Sequence, residues 1–246
     1  ADIRISADFV RSFYKTHTDF INPLINPLSM DFESDLQKID FPSDHCNYGE
    51  HLHAEMSSAW DLMKASNIIN GNDDQLQKYI HDGLVDLVLH EVGHTLGLRH
   101  NFKASSIYSI EQLSNLEFTN KNGISGSVMD YQPINIFDGQ NFFQTKPGIY
   151  DYWAIEYAYK ESNQSKMSEE KFLNKIASRS TDPLLRYGTD EDTYGLSTRG
   201  IDPHSNAWDL TNDPIKYYEK MFELSQTLWD SIPTYFTKKG EKYVKI

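Results

Sequence analysis

Residues 49–68 repeat their apolar positions at spacings of three and four. Leu52, Met56, Ala59, Trp60 and Met63 therefore share one face, and the spacing predicts a helix with that face buried. The run Asn70-Gly71-Asn72-Asp73-Asp74 ends this helix and supplies caps for the next. The second helix spans about 75–96 and carries Leu76, Ile80, Leu84, Leu87, Val88 and Val92 at helical period. Residues 1–11 behave differently. Ile3, Ile5, Ala7 and Phe9 alternate with Asp2, Arg4, Ser6 and Asp8, the period of a half-buried strand wet on its outer face. Residues 12–48 read as loop, broken by Asn22-Pro23, Asn26-Pro27 and Phe41-Pro42, and 101–128 read as irregular. Further helices are expected at 149–160, 168–179 and 214–230. A weak boundary falls near 131, dividing a motif-rich part, 1–131, from a helical part, 132–246.

Composition narrows the class. At 246 residues the chain can bury a sizeable core. Its formal net charge of −13 disfavours a nucleic-acid surface or a polybasic membrane patch, both of which need clustered cations. Aromatic residues at 13% disfavour wholesale disorder. No run approaches the ~20 apolar residues of a spanning helix. A single cysteine, Cys46, excludes an intrachain disulfide and any zinc site built from several cysteines. The start at Ala1-Asp2-Ile3 suggests a processed protein or a piece of a longer one.

The chemistry concentrates in His90-Glu91-Val92-Gly93-His94-Thr95-Leu96-Gly97-Leu98-Arg99-His100. On a helix, His90 and His94 lie ~40° apart in azimuth and ~6 Å apart along the axis, so their imidazoles can meet at one ion. A continued helix would carry His100 ~15 Å along the axis and off that face. The chain must therefore turn back, and Gly97 stands where glycine's tolerance of the left-handed conformation is wanted. Three neutral nitrogen ligands would leave a fourth tetrahedral position for water, the layout of a catalytic rather than a structural zinc site. Glu91, beside the first ligand, can take that water's proton. The bland alternative is a histidine-rich helix whose imidazoles are hydrogen-bonded in the core.

The segment resembles the zinc signature of the metzincins, a class of zinc endopeptidases. Ser127-Val128-Met129-Asp130-Tyr131, beginning 27 residues after His100, resembles their methionine-bearing turn. His94 to Phe102 (HTLGLRHNF) together with Ser127 to Pro133 (SVMDYQP) are similar to the large secreted bacterial metalloproteases called Met-zincins. The resemblance is close over roughly 75–160. It implies one catalytic zinc ion held by His90, His94 and His100, with Glu91 as general base and Met129 beneath the ligands. Tyr131 would either bind the metal or serve the transition-state oxyanion, or else be structural. It also implies a peptide or protein substrate and an extracellular or periplasmic location. The expected fold is α+β, with a partial twisted sheet backing the zinc-bearing helix and a helical C-terminal subdomain. Upstream strands of that family would be missing from this chain.

Two other functions fit the same residues: an inactive metzincin-fold binding module, against which Glu91 argues, and a non-peptidase zinc hydrolase. Metzincin prosegments use a cysteine to cap the zinc, but Cys46 lacks the residues expected around such a thiol and reads as a solvated bystander. His45, His51 and His53 hint at a second metal site. His81 and His204 read as surface or core groups. Asp190-Glu191-Asp192 reads as a solvated acidic loop more readily than as a calcium site.

Overall fold

The computed structural model describes residues 46–137, 139–162, 167–195 and 201–235. Helix α1, Tyr48–Ala65, buries Tyr48, Leu52, Met56, Ala59, Trp60 and Met63, one stripe at spacings of three and four. Helix α2, Asp73–Thr95, is capped by the Asn72 side chain, which accepts from the Gln75 amide at 2.9 Å. Asp73 and Asp74 fill its first turn, where carboxylates favour the helix dipole. α1 and α2 pack through Met56, Trp60, Tyr79, Ile80 and Leu87.

The segment expected to be irregular contains two short helices, α3 (Ile110–Leu113) and α4 (Leu116–Asn122). Their side-chain caps explain them: Ser109 and Gln112 close a reciprocal capping box, and Asn115 accepts from the Phe118 amide. Then follow α5 (Ile149–Tyr159), α6 (Glu169–Ala177), the single turn α7 (Asp190–Thr193) and α8 (Pro214–Tyr235). α8 lies on α1 and contributes Leu224, Met221 and Leu228 to the main core. That core joins residues on both sides of position 131, from Tyr48 to Leu224, and a smaller cluster joins Tyr108, Leu113 and Ile124 to Leu210 and Tyr217.

The expected α+β architecture is overturned: among the described residues there is no strand. The alternating segment 1–11 lies outside them. What backs α2 is α1 on one side and an irregular stretch carrying Ile134, Ile136, Phe142 and Phe143 on the other. That stretch satisfies buried backbone groups with side chains instead of a strand ladder. Gln144 Oε1 accepts from the amides of Ile124 and Ser125 at 2.6 and 3.0 Å, and Asn135 Nδ2 donates to the carbonyls of Leu113 and Asn141.

Asp86, on the buried face of α2, accepts from the Gln144 amide and the Tyr48 hydroxyl, while its other oxygen has no partner. Burial raises its pKa to about 7, against the pull of those two hydrogen bonds. A carboxyl with a raised folded-state pKa contributes stability that is complete below its unfolded value, ~3.9, and lost as the pH rises through about 7. Asp86→Asn removes that titration. Thermal melts from pH 5 to 8 should show the variant gaining on the wild type as pH rises; a constant difference would contradict the assignment.

Candidate metal centre

The C-terminal end of α2 sets the geometry. Leu96 ends the helix and Gly97 follows at φ +86°. The Gly97 amide donates to His94 O and the Leu98 amide to Gly93 O, both at 3.0 Å, the paired bonds of a Schellman turn. The chain reverses there and brings His100 back to the helix. His94 Nε2 and His100 Nε2 stand 3.1 Å apart, and the His90 and His100 rings lie 5.4 Å apart between centroids.

The hydrogen bonds on the far side of each ring decide what these nitrogens can do. His90 Nδ1 donates to Val128 O at 2.7 Å, His94 Nδ1 to Leu98 O at 3.1 Å, and His100 Nδ1 to Asp190 Oδ1 at 2.9 Å. In a neutral imidazole a proton on Nδ1 leaves Nε2 as a bare acceptor. Two such lone pairs at 3.1 Å repel unless a cation lies between them. Burial, and then the neighbouring imidazoles, push the His90 pKa well below its usual value; burial also lowers His94. The His90 and His94 rings are therefore favoured in the neutral form, the form a metal binds. Oxygen acceptors behind ligating imidazoles are the usual support of a metal site.

A second layer fixes His90's acceptor. Asp151, in the first turn of α5, accepts from Ser127 Oγ at 2.5 Å and from the amides of Val128 and Gly148 at 2.9 and 2.7 Å. Ser127 Oγ in turn accepts from the Met129 amide. The buried Met129 sulfur lies against α2 at Gly93, where an added Cβ would come within 2.2 Å of it. Glycine is thus required between the two helical histidines although it costs the helix up to ~1 kcal/mol.

Cys46 is not the solvated bystander expected. It is half-buried, with Sγ 3.4 Å from His90 Nε2 and 3.3 Å from the Tyr131 hydroxyl. Cys46, His90, His94 and His100 offer four donor atoms within 4.8 Å of one another, a group that could hold a metal ion. An ion with zinc's bond lengths has tetrahedral N–N edges of about 3.3 Å and N–S edges of about 3.6 Å. The 3.1 Å His94–His100 and 3.4 Å His90–Cys46 separations fit it. Burial, opposed in part by Tyr131, raises the thiol pKa to about 11; the Glu91 carboxylate raises it too. Tyr131 is buried, its hydroxyl donates to Asn47 Oδ1, and burial followed by the thiol keep the phenol protonated.

A family model of the Met-zincins matches residues 72–246. The chain belongs to the Met-zincin family. No curated protein and no solved structure gives a significant match to it. The family implies zinc, and the four-residue group is where this Met-zincin could hold it.

His51, His81 and His204 are not part of the four-residue group. His81 and His204 are exposed. His51 pairs with Asn47 and faces Trp208, and His45 lies outside the described residues. The acidic run is no bystander loop: Asp190 holds His100, and Glu191 pairs with Arg99 at 2.7 Å. Motif reading missed Asp190, Asp151 and the role of Cys46, because none stands at a metal-ligand spacing from the histidines. Asp190→Ala should keep the helical fold but weaken metal binding by about 10–100-fold, with Asp190→Asn, which keeps an acceptor, in between. Competition of each variant against a metal indicator checks this; unchanged affinity would sever Asp190 from the centre.

Proposed function

We propose that this Met-zincin is a zinc-dependent endopeptidase with His90, His94 and His100 as its zinc ligands. The observation that carries the proposal is the set of three Nδ1–H···O hydrogen bonds, which turn three unprotonated Nε2 atoms toward one point. Bound there, zinc would acidify water and polarise a substrate carbonyl. Glu91, partly exposed and next to the first ligand, accepts the attacking water's proton and delivers it to the leaving amine. Tyr131 donates a hydrogen bond to the oxygen that gains charge during attack. Met129, clipped in place through Ser127 and Asp151, serves as the methionine turn beneath the ligands. A peptide or protein is the substrate, and an extracellular or periplasmic location suits the reading. Among the described residues, no helix is long and apolar enough to cross a membrane.

The roles separate by mutation. His90→Ala, His94→Ala and His100→Ala should each lose most of the bound zinc. Glu91→Ala should keep it and lose most peptide hydrolysis, because only the proton acceptor is gone. Metal analysis and a peptide assay on the same samples check this, and loss of zinc from Glu91→Ala would refute the division. Tyr131→Phe should retain zinc and lower kcat by ~10²–10³ while changing KM less. Unchanged kcat would leave Tyr131 a structural residue.

A further inference from the structure

The thiol beside the three histidines stands where the proposed reaction needs water. Cys46 Sγ approaches the Nε2 atom of His90, the most deeply buried ligand, and belongs to the same four-donor group as His94 and His100. Its position is built into the body of the protein. Asn47, next in sequence, accepts from the Tyr131 hydroxyl. Tyr48, after it, is fully buried, with its ring 4.5 Å from His90, 5.0 Å from Tyr131 and 5.8 Å from Trp208. The thiol thus lies two residues ahead of a long core helix whose first residue, Tyr48, packs its ring on the metal-binding imidazole itself. Closed, four-ligand zinc sites are structural, whereas catalytic ones keep a position open.

We propose that Cys46 is the fourth zinc ligand of the resting chain and holds it latent, so that hydrolysis requires the sulfur to give up its position to water. The proposal rests on the zinc-centre reading above. On metal binding the S–H bond breaks, its proton passes to solvent, and sulfur donates an electron pair to the ion. Opening reverses this, and the thiol regains a proton as it leaves.

Cobalt(II) reports sulfur ligation without reference to activity. The full chain loaded with one equivalent of cobalt should show the near-ultraviolet thiolate-to-cobalt charge-transfer absorption. Cys46→Ala should still bind one cobalt but lose that absorption. Its zinc affinity should drop by at least the 10–100-fold that loss of an outer partner costs. At full zinc loading Cys46→Ala should cleave a peptide faster than wild type. The wild-type spectrum needs no variant, so misfolding of Cys46→Ala cannot mask the answer. Cobalt bound without charge-transfer absorption would overturn the ligand assignment while leaving the histidine centre standing. An absorption present in wild type with no gain in rate for zinc-loaded Cys46→Ala would overturn the latency. Failure of the wild-type chain to bind cobalt or zinc would bring down the zinc-centre reading and this inference with it.

Discussion

Three lone pairs held face to face are the constraint on which the rest of this structure depends. Imidazoles with Nε2 atoms as close as 3.1 Å gain nothing from one another, and each must be kept from turning its N–H inward. Three oxygen acceptors do this from behind, and they come from three places: the carbonyl of Leu98 just past the helix end, the carbonyl of Val128, and the carboxylate of Asp190. Removing any one acceptor would free a ring to flip or to change tautomer, and the arrangement would lose part of its affinity for a cation.

Those acceptors tie the centre to the whole fold. Val128 is placed by Asp151 on α5, and Asp190 opens α7, which follows the segment 186–188 strapped to Asn101 and Phe102. Tyr48 on α1 packs against His90 and Tyr131, and the Trp208 amide donates to Tyr131 O at 2.7 Å. Segments more than 100 residues apart therefore meet at one point. A cation that neutralises the facing lone pairs would also stabilise these long-range contacts, so metal binding and folding should be coupled.

The local part of this design could be read in the sequence. The spacing of His90, His94 and His100 with Gly97 between them encodes a helix, its stop and a reversal, because those depend on neighbours only a few residues apart. The helices at 48–65, 73–95, 149–159, 169–177 and 214–235 were legible for the same reason. The contributions that depend on tertiary contact were not. Cys46 precedes His90 by 44 residues and Asp190 follows His100 by 90, and no spacing rule reaches so far. The partial sheet was expected from a family resemblance and from a strand pattern in residues 1–11, which lie outside the described residues. The stretch behind α2 is irregular instead, and side chains of Asn135, Gln144 and Asp151 tie backbone groups of the segments around it, at Leu113, Ile124, Ser125 and Val128, where a strand ladder was expected.

The central claim is that these imidazoles bind one metal ion through Nε2. X-ray absorption at the zinc edge, on the full chain loaded with one equivalent of zinc, counts the coordinating atoms by type. The account predicts three nitrogen ligands at about 2.0–2.1 Å with the outer-shell scattering of imidazole rings, whatever the fourth ligand proves to be. A shell of oxygen atoms without imidazole scattering, or a chain that retains no zinc, would contradict it.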